Sequence, residues 1–268
     1  VNSAQKISTS TGGMSSFYSL EADDKFGSAV TSIGDLDGDG VVDLLVGAAC
    51  DEDQGSDTGA AYVLFLTTQG IVKSAQKISN SHGDFPYTLS SSDALGDAGC
   101  DAIGDLDGDG VIDLVVGAYN DDDGGGSAGA VYILLLTTEG LTKSAQKISN
   151  SYGDLSSFYT LDSGDYFGIA SDGIGDLNGD GVKDLVVGAL EDDDSGDNAG
   201  AVYVLLLQSV CPTALPTAMP TPMPTSLPTT PVPSTTPLPT KTPLPTRDGC
   251  VSDGTVASAQ KISNSFGR

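Results

Sequence analysis

Gly34-Asp35-Leu36-Asp37-Gly38-Asp39-Gly40-Val41-Val42-Asp43-Leu44-Leu45-Val46-Gly47-Ala48 is an acidic loop running straight into an apolar strand, and the chain contains it three times. The second copy occupies 104–118 and the third 175–189. Acidic or amide side chains stand at the first, third, fifth and ninth loop positions. In the first copy these are Asp35, Asp37, Asp39 and Asp43. In the second they are Asp105, Asp107, Asp109 and Asp113, and in the third Asp176, Asn178, Asp180 and Asp184. Groups crowded this way repel one another unless a cation sits among them. The spacing suits a hard, oxygen-seeking ion of flexible coordination, which describes calcium better than magnesium. Gly40, Gly110 and Gly181 supply the turn at position six. The carbonyls of Val41, Val111 and Val182 at position seven are expected to complete the shell, giving three predicted calcium sites.

An EF-hand loop shares the first six positions but needs a bidentate Glu at position twelve and flanking helices. Position twelve is Val46, Val116 and Val187 here, inside a Val/Leu run that ends in Gly and reads as a buried strand. The helical reading fails. A reading in which the Asp residues merely form turns is opposed by three copies at fixed spacing.

The 268 residues leave room for one large or two small domains, and 38% hydrophobic content is enough for a core. Net charge is −26, from 37 acidic and 11 basic residues, and three calcium ions would bring it to about −20. Nucleic-acid binding is excluded by that balance, because a phosphate backbone needs a basic face. No stretch approaches the roughly 18 uninterrupted apolar residues of a membrane span. Val1-Asn2-Ser3-Ala4-Gln5-Lys6 lacks a signal-peptide pattern, so a mature, processed or partial chain is expected. Weak calcium modules work where calcium is millimolar, which predicts an extracellular location, whether secreted, on a cell surface or in a matrix.

The sequence Ser-Ala-Gln-Lys-Ile-Ser begins at Ser3, Ser74, Ser144 and Ser258, at intervals of 71, 70 and 114 residues. Most of the surplus in the last interval is one insertion, 211–250. Every unit then follows one order. A polar Ser/Tyr-rich loop leads to a turn carrying Asp and Phe-Gly (Asp24 to Gly27, Asp165 to Gly168), with Leu95-Gly96 in the second unit. The acidic loop and its strand come next, then a second acidic loop. A strand such as Ala130-Val131-Tyr132-Ile133-Leu134-Leu135-Leu136 follows, and a hairpin such as Thr67-Thr68-Gln69-Gly70 closes the unit. That is about four short strands per unit without helical periodicity, the pattern of a propeller blade.

Phe26-Gly27, the Asp-rich loop and Val46-Gly47-Ala48, followed by Gly59-Ala60-Ala61-Tyr62-Val63, resemble the FG-GAP repeats of the integrin α-subunit N-terminal propeller. The likeness covers 1–210 and 251–268, which form one blade domain in this reading. It implies an all-β fold of four-stranded antiparallel propeller-type blades, with three repeats and an extra outer strand. It also implies calcium loops that join neighbouring strands of a blade on one propeller face. Their ligands are those already deduced from spacing. Two departures stand out: the family's propeller usually has seven blades, and the Pro of its Gly-Ala-Pro is Ala49, Tyr119 and Leu190 here.

The strand count is uneven. If each Ser-Ala-Gln-Lys-Ile-Ser is the outer strand of the blade before it, the copy at 3–8 has no blade. An unpaired strand is a template for another chain. Two arrangements stay open. Copies could associate head to tail, with 3–8 or 258–263 completing a neighbour's blade, or further repeats beyond Arg268 could close an ordinary ring.

Twelve of the 13 prolines lie in 212–245, mostly after Thr, Leu or Met, which favours an extended polyproline helix over any sheet. Thr and Ser crowd between them as in stalks bearing O-linked glycans. The segment also resembles hydroxyproline-rich cell-wall and matrix glycoproteins, which implies hydroxylated, glycosylated prolines; a bare linker is the plainer alternative. No Asn-X-Ser/Thr sequon occurs. Cys211 and Cys250 flank the insert, and a disulfide between them would close 38 intervening residues, worth about 4 kcal/mol by loop entropy. Cys50 and Cys100 then form the second expected bond, between adjacent blades, out of three possible pairings. Free thiols are the alternative.

His82 is the one histidine and has no counterpart in the other units. Nucleophile-elbow, phosphate-loop and dinucleotide motifs are all missing. The second acidic loops (51–53 with Asp57, 121–123, and 191–194 with Asp197) leave extra calcium, a basic partner or a solvated face open. Carboxylates that recur in every unit point to structure rather than catalysis. The expected function is a non-enzymatic, calcium-stabilised, extracellular structural or adhesive module, self-assembling into a glycosylated filament. Alternatives are a receptor-like propeller binding a protein or glycan, and accessory repeats of a larger extracellular hydrolase.

Overall fold

Each unit folds as one four-stranded antiparallel sheet in the computed structural model, which describes residues 3–194, 196–210 and 251–263. Blade one runs β1 (Phe26–Gly34), β2 (Asp43–Ala48), β3 (Ala60–Leu66) and β4 (Val72–Ile78), in that spatial order. Blade two repeats it with β5 (Cys100–Gly104), β6 (Asp113–Ala118), β7 (Ala130–Leu136) and β8 (Thr142–Ile148). Blade three comprises β9 (Phe167–Gly175), β10 (Asp184–Ala189), β11 (Ala201–Val210) and β12 (Val251–Ile262). Two short 3-10 turns, Met14–Ser16 and Leu155–Ser157, are the helical elements among the described residues. The insert 211–250, with the expected Cys211–Cys250 bond, lies outside the described residues. Its two ends leave neighbouring strands, because Val210 pairs with Val251.

The third strand of each unit is apolar throughout because both of its faces are covered. Successive side chains point to opposite faces, so alternate residues meet different neighbours. Ala61, Val63 and Phe65 of β3 pack with Leu114, Val116, Tyr132 and Leu134 of blade two. Val131, Ile133 and Leu135 of β7 pack in turn with Leu185, Val187, Tyr203 and Leu205 of blade three. Burial of each such aliphatic side chain is worth about 1.5–3 kcal/mol. The polar segment before each blade lies over it as well. Gly12 accepts from the Val72 amide at 2.9 Å, and Gly83 and Gly153 accept from Thr142 at 3.0 Å and Val256 at 3.4 Å. Over blade one this segment contributes Met14, Ile7, Tyr18 and Leu20 to the core.

The Gly of Val-Gly-Ala meets the turn glycine of the next unit, that of Leu95-Gly96 or of Phe167-Gly168, across the blade boundary. A Cβ at Gly47 would stand 1.7 Å from the Gly96 carbonyl oxygen. Backbones this close leave room only for hydrogen. Short parallel bridges, Gly59 to Leu95 and Gly129 to Phe167, seal the same boundaries. At the two ends the contact is open. A Cβ at Gly27 would meet nothing within 4 Å, and one at Gly188 nothing closer than 3.6 Å.

Three copies of Ser-Ala-Gln-Lys-Ile-Ser lie in the outer strands β4, β8 and β12, while residues 3–8 join no sheet. The bond expected between Cys50 and Cys100 is not formed, and both are free thiols. The two are held by different neighbours. Cys50 ends the β2 turn, its amide donating to Asp24 O at 3.2 Å and its thiol beside Asp57 and Lys25. Cys100 directs Sγ to Ala98 O at 3.7 Å, and burial pushes this thiol up to about 12, so it stays protonated and unreactive.

Candidate cation loops and the networks behind them

The position-one carboxylate organises each acidic loop. Asp35 accepts from the amides of Asp39 (2.9 Å) and Gly40 (2.8 Å). Asp105 accepts from Gly108 (2.7 Å), Asp109 (3.1 Å) and Gly110 (2.9 Å), and Asp176 from Gly179 (2.7 Å), Asp180 (3.0 Å) and Gly181 (2.9 Å). The position-five carboxylates Asp39, Asp109 and Asp180 accept from the amides of Val41, Val111 and Val182, each at 2.8 Å. The glycines at positions four and six hold left-handed backbone, as at Gly38 (φ 77°) and Gly40 (φ 86°).

Position nine sits deeper. Asp43 is fully buried and accepts from Leu36 and Leu66 amides, both at 3.0 Å, tying the loop to the end of β3. Asp113 does the same with Leu106 (2.7 Å) and Leu136 (3.0 Å), and Asp184 with Leu177 (2.8 Å) and Leu207 (3.0 Å). Burial pushes these carboxyls upward against the pull of two amides, Asp113 to about 6. A cation alongside would favour the charged form.

The donor set fits such an ion. Asp35, Asp37 and Asp39 bring oxygens within 4.8 Å of one another, as do Asp105, Asp107 and Asp113. A positive group already uses two of these carboxylates in two loops. The Lys73 ammonium bridges Asp37 (2.7 Å) and Asp39, and Lys143 bridges Asp107 (2.7 Å) and Asp109. All the side-chain donors are oxygens, the preference of calcium. Asp35, Asp37 and Asp39 would hold it in the first loop and Asp105, Asp107 and Asp113 in the second, and the ion would neutralise their charge, whereas Asp176, Asp180 and Asp184 of the third loop form no such group among the described residues. The sequence reading missed the lysines. Their signal is position: Lys73 and Lys143 immediately precede Ser-Ala-Gln-Lys-Ile-Ser, and Ala257 takes that place in the third unit.

The second acidic loops are committed to buried structure rather than to solvent alone. Tyr62 Oη donates to Asp51 at 2.9 Å, and Lys77 pairs with Asp51 (2.8 Å) and Asp53 (2.7 Å). In blade two, Tyr132 donates to Asp121 at 3.1 Å while Lys147 pairs with Asp121 (2.7 Å) and Asp123. Tyr203 donates to Asp192 at 2.8 Å, and Lys261 pairs with Asp192 (2.5 Å) and Asp194. The lysine of each strand-forming Ser-Ala-Gln-Lys-Ile-Ser is therefore the counter-ion of its own blade's second acidic loop. Burial disfavours charge on Asp53, yet hydrogen bonds from Lys77 and Ser79 overcome it and hold the carboxyl at about 2. Burial likewise works against the Lys147 ammonium, and Asp121 more than compensates, so its pKa rises.

A third carboxylate completes each network. Asp24, Asp93 and Asp165, all buried, accept from the amides of Glu21 (2.7 Å), Ser90 (2.7 Å) and Asp162 (2.8 Å). Burial pushes Asp93 up to about 7, helped by Asp121, and its Oδ1 has no partner. Asp165 is pushed up to about 6 for the same first reason. His82 Nδ1 lies 2.9 Å from Asp53 Oδ2 at the rim of the first network. Among the described residues no helix is long and apolar enough to cross a membrane.

Comparison with known proteins agrees with this architecture. The family described as FG-GAP repeat matches residues 102–134 and 168–205, which span β5 to β7 and β9 to β11. Mouse integrin alpha-2 is 33% identical over 194 residues, covering 71% of this chain and 14% of that protein. Human integrin alpha-11 is 37% identical over 168 residues, covering 62% of this chain and 12% of that protein. The chain thus spans a small part of the length of the curated relatives it matches. With its all-β blades and recurrent loops, this is a chain of FG-GAP repeats, similar over its blades to integrin α chains.

Proposed function

We propose that the chain is an extracellular, non-catalytic adhesive module, stiffened by calcium in its three loops, whose copies join head to tail. The observation that carries this reading is the pair of open halves of one repeated contact. Gly47 and Gly117 are each closed by the turn glycine of the next repeat, Gly96 and Gly168, whereas Gly188 at one end and Gly27 at the other meet no such partner among the described residues. The end blade is also apolar where the others are covered: Leu190 (59% exposed), Ile262 (59%) and Val202 (39%) line a 390 Å³ groove beside Gly188 and Gly200. Blade one of a second copy has the shape that fills this place in the two internal boundaries.

Residues 3–8 support the same reading. They repeat the outer-strand sequence, and Lys6 corresponds to Lys77, Lys147 and Lys261, yet it is exposed and in no ion pair among the described residues. In the joined form this segment exchanges with residues 258–263 at the outer edge of blade three, a swap of one outer strand for its repeat in the neighbouring copy. The insert then serves as a glycan-bearing spacer. The extracellular placement and the adhesive role draw support from the similarity to integrin α chains.

Sedimentation velocity of the full chain over a range of concentrations tests association. The expected result is a ladder of oligomers that collapses to monomer when 3–8 are deleted or when Val202→Glu is introduced. A monodisperse monomer at high protein and calcium concentration overturns the reading.

A further inference from the structure

A polar pocket of 350 Å³ opens on blade one between the segment before β1 and the second acidic loop. Five carboxylates line it, those of Glu21, Asp24, Asp51, Glu52 and Asp53, against the single ammonium of Lys77. Lys77 takes two of them, Asp51 at 2.8 Å and Asp53 at 2.7 Å. Asp51 also accepts from the Tyr62 hydroxyl, and Asp53 from Ser79, with His82 Nδ1 beside it. Three carboxylates are left over. The side chains of Glu21 and Glu52 are exposed and make no hydrogen bond or ion pair among the described residues. Asp24 is only 5% exposed; its Oδ2 accepts from the Glu21 amide at 2.7 Å, and its Oδ1 accepts from nothing among the described residues. The same oxygen of Asp93 in blade two is also without a partner. Burying a carboxylate oxygen without a donor is costly, and in blade one this carboxylate lines a pocket that a donor can enter.

We propose that this pocket binds a primary alkylammonium group, whose three N–H donors meet Asp24 Oδ1, Glu21 and Glu52 while its methylenes lie against Tyr18. The carboxylates are spaced for something larger than a bare ion. Glu21, Asp24 and Glu52 do not draw their oxygens within 4.8 Å of one another, as Asp35, Asp37 and Asp39 do. The volume is that of a small-ligand site. Tyr18 and His82 supply aromatic walls, nearly perpendicular with ring centroids 5.9 Å apart, and an aromatic face attracts an ammonium. Lys77 shows the same chemistry next door, its Nζ lying over the Tyr62 ring at 5.7 Å beside two carboxylates. Glu21 aligns with Ser90 and Asp162, and Glu52 with Asp122 and Asp193, so blade one alone has the longer side chain at both positions. Thr88 and Ser90, the counterparts of Ser19 and Glu21, stay exposed beside the closed boundary between blades one and two. The blade-one pocket therefore stays open whether or not copies join. The ammonium can come from a free aliphatic diamine or from a lysine of another protein, and the chemistry of recognition is the same for both.

Titration of the full, isotope-labelled chain with butylammonium chloride at constant ionic strength tests this through the amide resonance of Glu21, which donates to Asp24. The Glu21 resonance is expected to move saturably, with half-saturation at about 1 mM, within reach of so small a ligand. Glu21→Gln and Glu52→Gln, both at exposed positions, should each raise that concentration about tenfold while leaving the melting temperature unchanged. Tetramethylammonium has the charge but no N–H donor and should leave the resonance in place. Diaminobutane and N-acetyl-lysine methylamide separate the two sources. Tighter binding of the diamine assigns the pocket to a free polyamine, and tighter binding of the lysine derivative assigns it to a partner's side chain. Absence of a saturable shift, an equal response to tetramethylammonium, or a half-saturation unmoved in both glutamine variants overturns the proposal.

Discussion

Gly117 of blade two faces Gly168 of blade three so closely that a Cβ at residue 117 would stand 2.1 Å from the Gly168 carbonyl oxygen. The motif glycines are therefore a steric joint between blades, and Gly188 holds the same position in blade three without the facing turn. Gly117→Ala should destabilise the chain by about 1–3 kcal/mol, the usual cost of overpacking. Gly188→Ala should cost less than about 0.5 kcal/mol in dilute solution while weakening association. Urea unfolding at low protein concentration, paired with sedimentation, checks both; equal losses for the two variants would show that the joint plays no special part.

Lys147 is the buried counter-ion of Asp121, and Tyr132 completes the contact. Lys147→Met leaves a carboxylate buried and unpaired, with an expected loss of about 3 kcal/mol. Tyr132→Phe removes one hydrogen bond and should cost about 1 kcal/mol. Lys6→Met should leave monomer stability unchanged, because Lys6 is exposed. Thermal unfolding of the three variants gives the ranking directly.

Asp93 supplies a pH dependence of definite sign. Its folded value of about 7 lies above the ordinary 3.8, so between these limits the folded chain binds more protons than the unfolded one. Its contribution to stability is greatest below pH 4, declines as pH rises toward 7, and is flat above that. Asp93→Asn keeps the acceptor for the Ser90 amide and removes the buried charge. The variant should gain about 1 kcal/mol over the parent at pH 8 and little at pH 4. Melting temperatures at the two pH values would contradict this if the difference between variant and parent were constant.

Removal of divalent metal should lower the melting temperature, and calcium at 100 times its dissociation constant should restore about 2.7 kcal/mol per site by mass action. A melting temperature unchanged by chelator would contradict this.

The blades were legible because their signals are local: apolar runs, the Val-Gly-Ala motif and an acidic loop recur at a near-constant interval. The acidic turns themselves were legible for the same reason, whereas the role of Asp43, Asp113 and Asp184 as backbone clamps was not. The lysines were not, because their partners are remote. Lys147 meets Asp121 across 26 residues and Lys143 meets Asp109 across 34, so nothing in the polar run around them marks one as buried and the other as reaching a loop. The Cys50–Cys100 bond failed because sequence proximity to a blade boundary says nothing about where a thiol points.

The pairing of Val210 with Val251 sets the two ends of a 40-residue insert side by side on the longest hairpin among the described residues. Such a hairpin works as a socket. Doubling the length of what is plugged into it adds only about 0.6 kcal/mol of closure entropy. The length of chain between Val210 and Val251 can therefore change at small cost to the sheets that carry it.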